Sequence, residues 1–231
     1  MEARGALAEM LTHTVAESTS GPVILWGMYP FREDEMEHMK KSLSECVGDV
    51  PYTLIAFQVS DWNREFSPWA APELDATFTG EGEATLSFLQ EELLPLVKEK
   101  YGTHREVYLM GYSLAGLFAL WCLTKTDAFD GAASCSGSLW YPGFLDFLEK
   151  QTAPTGKRIY LSLGGKESNT GNALMSTVGE CTGKVCKILQ KDNVVKYEMN
   201  PGGHFADSGK RLAKAVHFFL NNSGNFKLIG L

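Results

Sequence analysis

Ser113 stands in EVYLMGYSLAG, where a β-branched and aromatic run breaks into Gly-Tyr-Ser-Leu-Ala-Gly ahead of an apolar, helix-like segment. A serine at such a break is arranged for nucleophilic chemistry, because a sharp strand-to-helix turn pushes its hydroxyl out at the carboxyl end of the strand. The turn crowds the flanking backbone, so small residues must surround it, and Gly111, Ala115 and Gly116 do. The stricter form of this nucleophile elbow has glycine two residues after the serine; here Ala115 takes that place and Gly116 follows. A serine hydroxyl is a weak nucleophile until a base takes its proton. His13 precedes the first strand-like run, His38 lies among charges of a surface helix, His104 precedes the third strand and His217 is inside the last helix. His204 differs: it sits in NPGGHF after the final strand, where Gly202 and Gly203 let a loop carry the imidazole across the sheet's carboxyl edge.

The acid that orients such a base falls between serine and histidine in this chain order. In RIYLSLGGKES, Glu167 follows the carboxyl end of a strand. Asp127, Asp130, Asp146, Glu149, Glu180, Asp192 and Glu198 fall on or beside helices, before strands, or within one. The alternative for Glu167 is an exposed loop carboxylate with Lys166 or Lys157 as surface partners. Acyl transfer also needs donors for a developing oxyanion. The N–H of Leu114, opening the helix, is one; the second is expected from WGMYPF at the exit of the first strand, from Met28 in preference to Gly27, with Gly27 permitting a tight turn. Two aromatic loops, SDWNREFSPWAAP and SGSLWYPGF, leave strands at the same edge. Trp62, Trp69 and Trp140 are expected as pocket walls, Asn63 and Arg64 as polar contacts, and Tyr112 as a substrate neighbour beside the serine. Pinning of long loops is an equally good role for the aromatics, and the two are compatible.

These residues need a scaffold that brings several strand ends to one edge. Strand-like runs at Pro22–Trp26, Tyr52–Val59, Glu106–Met110, Gly131–Cys135, Arg158–Leu163 and Val194–Met199 alternate with helical ones, and most are near-continuously apolar. That pattern predicts an α/β fold with a mostly parallel central sheet covered by helices on both faces. Leu86, Leu89, Leu93 and Val97 mark one helical face, with a kink or restart expected at Pro95. Leu212, Val216, Phe219 and Leu220 mark the last helix, capped by Asp207 or Ser208. Residues 1–231 read as a single domain without a large cap, with the first 20 a poorly ordered or peripheral segment.

A net charge of −7 without a basic cluster argues against nucleic acid and anionic membrane surfaces. No stretch approaches the roughly 20 apolar residues that span a bilayer, and the N-terminus lacks the basic start and apolar run of a secretory signal. Five cysteines without a CxxC pair read as idle thiols in a reducing compartment, so a cytoplasmic location is expected. Cys181 and Cys186 form the one close pair, and with no further ligands at suitable spacing no metal is expected.

The segments DWNREFSPWAAP, GYSLAGLFALW, SGSLWYPGF, YLSLGGKES and GGHFADSGKR occur in this order along nearly the full chain. In combination the sequence resembles the α/β-hydrolase superfamily, in its putative esterase branch with esterase D and enterobactin-esterase-like proteins. The resemblance implies the α/β-hydrolase fold and a serine hydrolase with Ser113 as nucleophile, His204 as base and Glu167 as acid. It implies no metal or organic cofactor, and a small-molecule ester as partner. Where the branch has Gly-Asp-Lys-Glu this chain has Gly-Gly-Lys-Glu at 164–167. The departure leaves either Glu167 as the acid or a Ser–His dyad. Hydrolysis of a carboxylic ester or thioester is the activity expected; transfer of the acyl group to another acceptor, and ligand binding without chemistry, stay open as alternatives.

Overall fold

A computed structural model describes residues 12–28, 33–151 and 153–221. In chain order the elements are β1 (Thr12–Ala16), β2 (Val23–Met28), α1 (Glu33–Cys46), β3 (Thr53–Gln58), the single turn α2 (Trp62–Glu65), α3 (Gly82–Phe88) and α4 (Leu94–Tyr101). There follow β4 (Val107–Tyr112), α5 (Ser113–Leu123), β5 (Gly131–Cys135), α6 (Phe144–Lys150), β6 (Arg158–Gly164), α7 (Val178–Leu189), β7 (Val194–Asn200) and α8 (Ser208–Leu220). A π-helical turn, Leu89–Leu93, joins α3 to α4 without a break, and Pro95 lies two residues past it, so the irregularity expected at the proline takes the form of a widened turn just before it. The sheet runs β1-β3-β2-β4-β5-β6-β7, parallel throughout except for antiparallel β1 against β3.

Alternate strand residues supply two cores. Val23, Leu25, Leu109, Ile159 and Leu161 face the layer of α3 to α7, while Ile24, Trp26, Tyr108, Met110 and Tyr160 face α1 and α8. With both faces covered, β2 through β6 are buried almost end to end, which is why they read as unbroken apolar runs. Helix α5 is buried at every residue from Leu114 to Leu123, as a helix enclosed on all sides must be.

Two expectations change. Within the first 20 residues, Thr12–Ala16 form an edge strand, pairing Thr12 with Phe57 and Thr14 with Ile55. Residues 1–11 lie outside the described part. Strand β2 extends to Met28, so Gly27 lies inside it, paired with Phe57 and Gly111, and makes no tight turn. Its small size serves packing: a Cβ there would sit 3.1 Å from Phe66 and 3.2 Å from Phe57.

Because β2 to β7 run parallel, their carboxyl ends share one edge. Ser113 directly follows β4, Ser136 follows β5, Glu167 lies just past β6 and His204 just past β7. The crossover topology thus gathers segments separated by up to about 90 residues of chain.

Candidate active site

Ser113 has φ of +55°, in the left-handed region that side-chain-bearing residues seldom enter, while Tyr112 before it is extended at φ −110° and ψ 146°. The chain therefore reverses within one residue, from β4 into α5. The turn is so tight that a Cβ at Gly111 would meet Ala115 backbone C at 2.3 Å and Ala115 Cβ at 2.6 Å. Leu114 N–H belongs to the first turn of α5, whose amides have no intrahelical acceptor. Met28, the second expected donor, is the last residue of β2 and lines the same cavity as Ser113; residues 29–32, which follow it, lie outside the described part.

His204 Nδ1 is 2.8 Å from Glu167 Oε2. The His204 side chain is 31 % exposed and that of Glu167 only 3 %, so a ligand can reach the imidazole but not the carboxylate. The other carboxylate oxygen, Oε1, accepts from Gly164 N–H at 2.6 Å and Ser136 Oγ at 2.8 Å, and lies 2.7 Å from Arg211 Nη1. Burial pushes the Glu167 carboxyl up. The hydrogen bonds from His204, Gly164 N–H and Ser136 outweigh it and hold the group below the ordinary carboxylate range.

The hydroxyl of Ser113 is 3.3 Å from that of Ser138, whose own N–H donates to Ser113 C=O at 3.0 Å. Tyr112 O–H donates to the backbone carbonyl of His204, and the two rings lie 5.4 Å apart. Burial raises the Tyr112 phenol to about 12, so it stays protonated.

Ser113 and His204 open into one cavity of about 790 Å³. Its apolar wall includes Trp26, Met28, Met39, Trp62 and Phe205, the last 92 % exposed, and its rim carries charged residues of α1 and α8. Trp62 and Tyr112 thus line the cavity, though the Tyr112 hydroxyl is committed to the histidine loop.

Asn63, Arg64, Trp69 and Trp140 do not line it. Asn63 Nδ2 donates to Thr77 Oγ1 at 2.9 Å, and Arg64 pairs with Glu65 at 2.9 Å and Glu81 at 3.4 Å. Trp69 Nε1 donates to Pro142 C=O at 2.9 Å, while Tyr141 O–H returns a bond to Trp69 C=O at 2.7 Å, so the two aromatic loops clasp each other. Trp140 is half-buried. Among the rejected acids, Glu198 is inside β7 and bound by Lys214 at 2.5 Å and Lys196 at 3.1 Å.

Three polar residues of the site were not singled out from sequence. Ser136 and Ser138 sit in SGSLWYPGF, a segment whose aromatics alone point to a pocket. Arg211 is 1 % exposed on α8, in line with Ala215 and Phe218 of the buried stripe. A charge on an apolar stripe is the one local signal for it, since arginine is almost never fully buried unless paired. Among the described residues no three His, Cys, Asp or Glu side chains gather as a metal-ligand set, and no helix is long and apolar enough to cross a membrane.

Comparison with known proteins agrees with this architecture. Residues 38–205 match the family described as "Putative esterase". An uncharacterized protein of Bacillus subtilis, YbbA, is 27 % identical over 148 residues, covering 60 % of this chain and 59 % of that protein. Among solved structures, an IroE-like serine hydrolase from Shewanella oneidensis superposes with a TM-score of 0.71 at 17 % identity, over 91 % of this chain and 79 % of the other. The siderophore hydrolase EstB of Aspergillus nidulans superposes with a TM-score of 0.66 at 16 % identity, over 91 % and 86 %. At such identities the structural likeness speaks to fold. The family match covers well over half of the sequence, and the chain belongs to the putative esterase family; its fold is that of the α/β-hydrolases it superposes on.

Proposed function

We propose that this protein hydrolyses a small carboxylic ester or thioester through an acyl-enzyme on Ser113. The observation that carries the proposal is the left-handed serine of the elbow opening into the same cavity as a histidine bound to a buried carboxylate. Ser113 Oγ leaves its resting partner Ser138 and attacks the substrate carbonyl while His204 Nε2 takes its proton. Glu167, ionised and held on its far side, keeps Nδ1 protonated and stabilises the imidazolium. The oxyanion is received by Leu114 N–H and, on this reading, by Met28 N–H. The imidazolium then protonates the leaving alcohol or thiol; water, activated by the same imidazole, releases the acid and restores Ser113.

A cavity of about 790 Å³ suits a ligand of drug-like size. Its apolar wall and charged rim favour a soluble ester with an apolar acyl part. Siderophore esters, named for EstB, belong in the first substrate panel. All five cysteines are free thiols, which suits the cytoplasm.

The test is a fluorophosphonate probe with mass-spectrometric location of the adduct, together with nitrophenyl ester turnover. Labelling confined to Ser113 is expected, and Ser113→Ala should lower kcat by about 10⁴-fold or more. Near-wild-type turnover by folded Ser113→Ala would refute the proposal.

A further inference from the structure

Arg211 joins several loops of the site through one side chain that the hydrolytic reading does not use. Its guanidinium is buried, and Nη1 lies 2.7 Å from Glu167 Oε1, 2.6 Å from Ser136 Oγ and 3.1 Å from Tyr112 O–H. Its Nη2 donates to Pro201 C=O at 3.0 Å and to Gly203 C=O at 2.8 Å. One side chain therefore ties the acid loop after β6, the loop after β5, the residue before the nucleophile and two of the backbone carbonyls that precede His204. Gly164 leaves room for it: a Cβ there would sit 2.7 Å from Arg211 Nη2 and 2.9 Å from Glu167 Oε1.

We infer that Arg211 is a positioning residue of this site, one that fixes the histidine loop and neutralises the far oxygen of Glu167, thereby setting the pH range in which His204 can act as base. The inference rests on the hydrolytic reading. A buried carboxylate facing an imidazole favours the protonated imidazole, whereas a guanidinium on the same carboxylate opposes it. With Arg211 in place the Glu167–Arg211 pair is neutral, and Glu167 offers its near oxygen as an acceptor without the pull of an unbalanced charge. It is also kept from taking the proton itself.

Other titratable groups around the cluster do not explain such an effect. Burial raises the Tyr112 phenol of β4 and the Cys135 thiol of β5 to about 12, and it raises Tyr197 of β7. Glu198 of β7 is occupied by Lys196 and Lys214. On the cavity rim lie Glu35, His38, Lys41 and Glu45 of α1, with Lys210 of α8 and Asp207 before it; they are the same in every variant below, so their contribution cancels in comparison.

The test follows the acid limb of Ser113 labelling by a fluorophosphonate against pH, in variants that change the charge of the pair. Arg211→Met leaves −1 and should move the limb up by about one pH unit. Glu167→Gln leaves +1 and should move it down, with a slower absolute rate. The double variant E167Q/R211M is neutral again and should return the limb to the wild-type position; Arg211→Lys keeps the charge and should keep the limb while slowing labelling. If Arg211→Met does not fold, Glu167→Gln against the double variant carries the same comparison, since the double variant holds no unpaired buried charge. Coincident limbs for Glu167→Gln and E167Q/R211M would overturn the inference while leaving a labelled Ser113, and so the hydrolytic reading, intact. Absence of Ser113 labelling in the wild type would remove the hydrolytic reading and this inference with it.

Discussion

Gly111→Ala is the substitution whose consequence can be worked most directly from the geometry. The added methyl would sit 2.3 Å from the backbone carbon of Ala115, 2.4 Å from its carbonyl oxygen and 2.6 Å from its Cβ. Ordinary contact between carbons begins at about 3.5 Å, so α5 must retreat from β4 by on the order of 1 Å. Two of those three atoms are helix backbone, so no side-chain rotation relieves the clash. Overpacking of this kind costs about 1–3 kcal/mol, and the rigid neighbour points to the upper part of that range. For a chain of this size each kcal/mol lowers Tm by about 2–4 °C, so a fall of about 5–10 °C is expected by calorimetry. The retreat also carries Ser113 and Leu114 N–H, the first residues of α5, away from their places, and a 1 Å misplacement is worth about 10²-fold in rate. Nitrophenyl ester kinetics on folded protein, checked by circular dichroism, would measure that loss. The G111A/A115G variant should recover only part of both effects, because removing the Ala115 methyl relieves the 2.6 Å contact and leaves the two backbone contacts in place. A Gly111→Ala protein with wild-type Tm and turnover would refute the reasoning, and so would full rescue by Ala115→Gly.

Trp62→Ala removes cavity wall and should raise KM for nitrophenyl esters several-fold. Trp69→Phe should leave KM unchanged and cost about 1 kcal/mol of stability through the lost Pro142 hydrogen bond, so equal effects on KM from the two would contradict the placement of these side chains. Glu167 is held below the ordinary carboxylate range by its hydrogen bonds, against the opposing effect of burial. Since its folded value is depressed, the stability it contributes is full above its unfolded value and is lost as pH falls through the folded value. Melting temperatures should therefore drop more steeply below roughly pH 4.3 in the wild type than in Glu167→Gln, and parallel acid limbs would contradict this.

How far the sequence speaks for itself varies with the kind of interaction. Strands β2 to β6 are covered on both faces, so their burial is written as continuous apolar runs and they were legible within two residues at each end. The elbow was legible because its demand for small residues at 111, 115 and 116 is local. Edge strand β1, THTVA, is half-exposed and of mixed polarity, and its pairing with β3 reaches across some 40 residues, so no local pattern announces it. The wall of the cavity likewise depends on where loops return. Trp69 and Trp62 sit in one stretch of sequence, yet one clasps a neighbouring loop and the other faces the cavity.

Residue types at strand ends alone nominated Ser113, Glu167 and His204, and the crossover topology brings their three loops to one edge. What the tertiary structure alone decided is the polar setting around them. Arg211 lies 44 residues from Glu167, 75 from Ser136 and 99 from Tyr112 along the chain. On its helix it is a charge in line with the apolar stripe, and nothing nearby in sequence supplies a partner for it. Only when β4, β5, β6 and β7 converge do five oxygen atoms surround its guanidinium, because the burial of a charge is settled by partners distant in sequence, and local pattern carries no record of them.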